Sequence, residues 1–192
     1  SLLIETTGSD EFVIADAARW TLPGPDNIVN VMASIPFATR GAQASAELVV
    51  TRSGTVTEPL VVSLQRGGTA GTSEYAPAIA TTVTIPADKR EVLIPVSALS
   101  GAIPMGEKTV QITVLPSPDY FQGASTTASV TLKDPPFDVW RAARFTPGQL
   151  ADPQISGAGA DPDGNGLTNL MEFFTGGSGS VPEMKVQDGK LY

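Results

Sequence analysis

Between residues 26 and 133 the chain consists of short runs rich in β-branched residues, each stopped by turn residues. Residues 27–33 read Asn-Ile-Val-Asn-Val-Met-Ala, and residues 46–52 end at Ser53-Gly54. Residues 60–66 stop at Gly67-Gly68, and residues 82–85 stop at Pro86-Ala87-Asp88. Residues 90–96, 109–115 and 128–132 complete a set of seven. Val92, Ile94 and Val96 alternate with their neighbours, as do Val110, Ile112 and Val114, although Leu93 adds an apolar residue on the other face. A period of two places every second side chain on one face of a sheet, so runs of this length bury one face only. The runs are too short and too β-branched for helices. The pattern predicts an all-β fold: an immunoglobulin-like antiparallel sandwich of about seven strands, with a short helical tail.

Composition removes several chemistries. The 192 residues contain no Cys and no His. Disulfides, thiol nucleophiles, Cys-ligated zinc, imidazole metal sites and His-dependent relays are therefore absent. A net charge of −8 argues against binding to nucleic-acid phosphates or anionic lipids. No apolar run approaches the roughly 20 residues of a membrane span, so no membrane insertion is expected. Paired carboxylates such as Glu47 and Glu58 lie in or beside expected strands without an aromatic-rich surround, and no enzyme activity is expected. Gly67-Gly68 and Gly176-Gly177 lack the following Lys-Ser/Thr of a phosphate loop and read as turns.

The ends carry two further patterns. Residues 2–12 share a plan with residues 110–120: a strand, then a Ser-x-acidic-aromatic corner. Residues 20–22 likewise match residues 130–132, and the offset is about one sandwich domain of ~100 residues. Residues 1–24 are expected to be the closing hairpin of a preceding repeat; the alternative is an unrelated hairpin packed on the sandwich. The sandwich itself is assigned to residues 25–136. Beyond it, Asp138 is expected to cap a helix over 139–145, and Thr146-Pro-Gly-Gln149 reads as a capping box. Asp152-Pro153 ends that turn, and residues 155–160 read as a flexible Ser/Gly/Ala link. Trp20 and Trp140 are expected to pack rather than to present sugar platforms. Residues 178–192 read as a linker and the start of a following β segment.

Residues 161–172 read Asp-Pro-Asp-Gly-Asn-Gly-Leu-Thr-Asn-Leu-Met-Glu. Asp161, Asp163 and Asn165 stand at positions 1, 3 and 5 of a calcium loop, and Gly166 stands at the sharp turn of position 6. Leu167 would offer its carbonyl at position 7, Asn169 would act directly or through water, and Glu172 can bind with both oxygens. The alternative is a solvated acidic turn capping the next helix. Leu170, Phe173 and Phe174 give that helix an expected buried side, ended by Gly176-Gly177. With no long helix expected before it, the unit over 137–177 resembles the loop-helix half of a dockerin repeat more than a paired EF-hand. Ca²⁺ is the expected cofactor, with an affinity of about 0.1 to 1 mM, as in extracellular modules.

The stretches 44–54, 71–75, 84–87, 106–114 and 129–134 together resemble a Calx-β domain. The tail from Phe137 to Glu172 is similar to a segment near the C-terminal end of large secreted bacterial surface proteins. The resemblance implies a sandwich whose calcium-binding members hold cations at one end with acidic side chains. This sequence departs there: Arg40 stands where a glutamate is usual, and Lys108 stands in the acidic corner after Met105-Gly106-Glu107. Glu74, Glu107 and Asp134 remain. The departures predict that Arg40 and Lys108 replace calcium at that end by ion-pairing with Glu74, Glu107 or Asp134.

The expected function is that of a non-catalytic calcium-binding structural or adhesion module, extracellular or at a bacterial cell surface. Its partners would be calcium, neighbouring domains of the same polypeptide, a cell-surface ligand, or further copies of itself. Two alternatives stay open: a fibre subunit that uses residues 1–24 for strand complementation, and an accessory module of a large secreted hydrolase.

Overall fold

The computed structural model describes residues 26–101 and 103–176, together with the backbone of two short strands, β11 (Val186–Gln187) and β12 (Lys190–Leu191), which pair antiparallel. The hairpin expected over residues 1–24 lies outside the described residues, as does Trp20.

Ten strands form the sandwich: β1 (Ile28–Ile35), β2 (Phe37–Thr39), β3 (Ala46–Ser53), β4 (Leu60–Gly67), β5 (Tyr75–Ala76), β6 (Thr82–Ile85), β7 (Glu91–Ala98), β8 (Lys108–Val114), β9 (Phe121–Gln122) and β10 (Thr127–Lys133). They form two five-stranded sheets, ordered β5-β7-β3-β1-β9 and β2-β10-β8-β4-β6. All seven expected runs are strands, and three edge strands of two or three residues join them. Two of these, β9 on β1 and β2 on β10, pair in parallel, which the antiparallel expectation did not include. Their cause is local. After β1 the chain crosses at Pro36 from one sheet to the other and joins the far edge as β2, where the Pro36 carbonyl accepts from Thr131 N at 2.8 Å.

Alternate residues face inward and close one core. Val29, Leu48, Val50, Val62, Ile85, Val96, Val110, Ile112, Val114 and Leu132 are fully buried in it. Val49 points the other way, yet it too is buried, because Met32 and Leu93 flank it across the strands. The corner at residues 117–120 is held by Tyr120. Its hydroxyl donates to Leu115 O at 2.7 Å and accepts from Ser63 N at 3.1 Å, tying the corner to β4.

Arg52 closes the end of the sandwich where β7 begins. Its side chain is buried and faces carbonyls rather than acids: Lys89 O at 2.9 Å, Glu58 O at 2.7 Å, Val56 O at 3.1 Å and Pro86 O at 3.0 Å. A planar fork of donors suits four acceptors from two loops in a way that a lysine ammonium cannot. Replacing Arg52 by Lys is expected to lower stability by roughly 2 kcal/mol, and Arg52→Met by more, because buried carbonyls lose their donors. Urea unfolding checks this; an unchanged midpoint for Arg52→Met would contradict the assigned role.

Candidate metal centre

The tail carries four short helices: α1 (Pro136–Arg144), α2 (Pro147–Leu150), α3 (Pro153–Ser156) and α4 (Asn169–Thr175). Helix α1 starts earlier than expected. Pro135 stands at its N-cap, so Asp138 is not the cap; it lies in the first turn and pairs with Arg141 at 2.8 Å. The capping box is present at α2, where Thr146 N donates to Gln149 Oε1 at 2.9 Å and Gln149 N to Thr146 Oγ1 at 3.4 Å. The link expected at 155–160 is partly helical, because the Asp152 carboxylate caps α3 through Gln154 N at 2.9 Å. Ser156, at the end of α3, is fully buried.

Two polar side chains tie these pieces together. Arg141 donates to Ser156 Oγ at 2.8 Å and to Leu150 O at 3.3 Å, joining α1 to α2 and α3. Asn169, 1% exposed, donates through its amide to Ile155 O and Gly157 O, both at 2.8 Å, joining α4 to α3. An aromatic group fills the space between α1 and α4. Trp140 stacks on Phe137 at 5.6 Å, and Phe173 meets both rings edge-on. Trp140 thus packs, as expected. Phe174 does not: it is 74% exposed, about a quarter turn away from Phe173, so the expected buried face narrows to Phe173.

The loop of residues 161–172 follows α3 and runs into the start of α4, which holds its last four positions, 169–172. Asp161 caps its turn, with Gly166 N donating to Oδ2 at 2.9 Å and Asn165 N to Oδ1 at 3.2 Å. Gly164 and Gly166 hold positive φ angles of 70° and 86°, which suits residues without a Cβ. The amide nitrogen of Asn165 donates to Asp163 Oδ2 at 3.0 Å and to Glu172 Oε1 at 3.1 Å. Two carboxylates from opposite ends of the loop therefore converge on one partly positive group. As the side chains stand, no group of three or more acidic residues among the described residues is close enough to hold one ion. The donor set fits a hard cation in chemistry: three carboxylates, amide oxygens and a carbonyl, all oxygen. Leu167 follows the turn half-buried, its N donating to Asn165 Oδ1 at 2.8 Å. The structure gives Asn169 a second role that its loop position did not signal, since its nitrogen is committed to α3 and only its oxygen is left for an ion.

At the opposite end of the sandwich from Arg52, where β7 finishes, lie the acids singled out by the resemblance. Arg40 is buried between two of them, with Nη2 at 3.5 Å from Glu74 Oε1 and Nε at 3.0 Å from Asp134 Oδ1. The Nε contact is off the line of its N–H and is coulombic rather than a straight hydrogen bond. Lys108 differs from expectation. It forms no ion pair among the described residues: Leu132 stands opposite it in the β8–β10 register, and the neighbouring Glu107 pairs with Lys133 at 3.6 Å in solvent.

No protein-family model and no curated protein matches the sequence. Among solved structures, the chain is similar to the Calx CBD2 domain, with 12% identity over 64% of this chain and 98% of that one, at a TM-score of 0.45. It is also similar to the apo form of the Calx CBD1 domain, with 14% identity over 56% of this chain and 97% of that one, at a TM-score of 0.44. Against CBD12 from CALX1.2, with 14% identity and a TM-score of 0.44, the match covers 55% of this chain and spans 44% of that one. The sandwich assignment rests on the strand order and register of this chain itself.

The two roles of Asn169 separate by substitution. Asn169→Asp adds a carboxylate to the loop but removes both donors to Ile155 O and Gly157 O. It is expected to loosen α4 by roughly 2 kcal/mol, seen as faster amide exchange over 169–175 without calcium. Unchanged exchange there would contradict the clamp.

Proposed function

We propose that the chain is a non-catalytic module of a secreted or cell-surface bacterial protein. Its loop at 161–172 takes up one Ca²⁺ and stiffens the connection between the sandwich and the segment that follows. The observation that carries this reading is the convergence of Asp163 and Glu172 on the Asn165 amide, with Asp161 fixing the turn at Gly166. Three carboxylates within twelve residues repel one another in the absence of a counterion, and a divalent ion removes that repulsion. Asp161, Asp163, Asn165, Asn169 and Glu172 would contribute side-chain oxygen and Leu167 its carbonyl, while the metal supplies charge and coordination and no reaction.

Stiffening follows from the clamps around the loop. Asn169 and Arg141 pass the order of the loop to α3 and then to α1, which begins three residues after β10 ends. At about 1 mM free calcium and a dissociation constant of about 0.1 mM, binding would add roughly 1.4 kcal/mol to the tail. Affinity in this range suits an extracellular setting, where calcium is millimolar, and the partners proposed are the neighbouring domains of the same polypeptide. The absence of His and Cys is consistent with a spacing or adhesive role without catalysis.

Calcium titration by calorimetry is expected to show one site in the 0.1 to 1 mM range, weakened about tenfold or more in Glu172→Gln. Calcium should also slow proteolysis between residues 146 and 180. No binding at millimolar calcium, or identical cleavage with calcium and with chelator, would overturn the reading.

A further inference from the structure

Four asparagines occur in the chain, and one of them has an unusual neighbour. Asn27, Asn30 and Asn169 precede Ile28, Val31 and Leu170, whereas Asn165 precedes Gly166. A backbone nitrogen can attack the side-chain amide carbon of the residue before it and close a succinimide ring. Bulk on the attacking residue hinders that approach, and glycine carries none. The folded loop adds two features at this dipeptide. Leu167 N donates to Asn165 Oδ1 at 2.8 Å, so a donor already faces the oxygen on which negative charge develops during attack. Gly166 N donates to Asp161 Oδ2 at 2.9 Å, so the proton that this nitrogen must lose has an acceptor within hydrogen-bond reach. Asn165 and Gly166 are both exposed, which leaves the site open to water. Electrophile, nucleophile and proton acceptor therefore meet at one peptide bond.

We propose that Asn165-Gly166 is a site of spontaneous deamidation, which turns the neutral amide of the loop into a carboxylate. Gly166 N forms a bond to Asn165 Cγ. The Cγ–Nδ2 bond breaks, and Nδ2 leaves as ammonia with the proton that Gly166 N gives up. Water then opens the succinimide at one of its two carbonyls, giving aspartate or isoaspartate, and no oxidant or reductant takes part. The departing nitrogen is the one that donates to Asp163 Oδ2 at 3.0 Å and to Glu172 Oε1 at 3.1 Å. Its loss removes a tie between the loop and the first turn of α4, and it leaves a new negative charge beside two existing ones. Both products therefore loosen α4 from the loop. Water does not restore the amide, so the change runs one way and accumulates with the age of the protein. No metal takes part in any step, so the reaction does not depend on the calcium reading of the loop.

The test ages the full chain in chelator at mildly alkaline pH and follows it by peptide mass mapping, with isoaspartate scored by enzymatic methylation. Conversion of Asn165 is expected to run about tenfold or more ahead of that of Asn27, Asn30 and Asn169, and several-fold faster in the folded chain than in guanidinium chloride. Amide exchange over residues 169–175 is expected to quicken in step with the converted fraction. Asn165→Asp, which supplies the aspartate product by substitution, should show the same loosening without ageing. No preferential conversion at Asn165, or conversion no faster in the folded chain than in denaturant, would overturn the proposal. Exchange left unchanged in both the aged chain and Asn165→Asp would overturn the effect assigned to α4.

Discussion

Two open ends are inherent in a two-sheet sandwich, and in this chain each is closed by a buried arginine. Arg52 sits where β7 begins and draws in four backbone carbonyls; Arg40 sits where β7 finishes and draws in two carboxylates. The choice of partner has consequences. Carbonyls satisfy the donors of Arg52 while leaving its charge only partly screened, and they fix the loops around residues 56–58 and 86–89. Carboxylates neutralise Arg40 and fix the turns at 71–74 and 105–106 through their second oxygens. Between these two plugs the core is mostly alternating aliphatic residues, with two buried tyrosines, of which Tyr120 hydrogen-bonds through its hydroxyl to Leu115 O and Ser63 N.

The tail obeys a different rule. Its helices of four to nine residues are too short to be stable alone, and the aromatic group around Trp140 covers only one side of them. Beside that aromatic contact between α1 and α4, the joints are polar: Arg141 between α1, α2 and α3, and Asn169 between α3 and α4. The acidic loop interrupts this chain of contacts at the step from α3 to α4. Order in the loop therefore bears directly on whether α4 stays docked, and under the proposed function a calcium site of modest affinity would act there as a mechanical element.

The parts of the fold legible in the sequence are those fixed by burial on one face. The alternation of Val110, Ile112 and Val114 is enough to place β8, because slipping by one residue would turn all three into water. Strands β2, β5 and β9 were not legible, since two or three residues carry no period and their pairing is decided by where the sheets happen to end. Arg40 could be picked out as a charge in an unusual place, and two of the three acids expected as its partners, Glu74 and Asp134, are the ones it meets. Lys108 was misassigned because Leu132 stands opposite it in the β8–β10 register, while the neighbouring acid Glu107 pairs with Lys133. The tight turn at Gly166 in the loop was visible from the spacing of the residues around it. The clamp at Asn169 was not, because it depends on α3, whose sequence around Ser156-Gly157 has the composition of a linker.

The account separates a tail that answers to calcium from a sandwich that does not. Amide hydrogen exchange of the native chain, compared with and without millimolar calcium, tests that division most directly. Protection is expected to rise over residues 153–176 and to stay unchanged in the strands and in the turns around Glu74, Met105 and Asp134. Protection gained in those turns, or none gained in the tail, would contradict it.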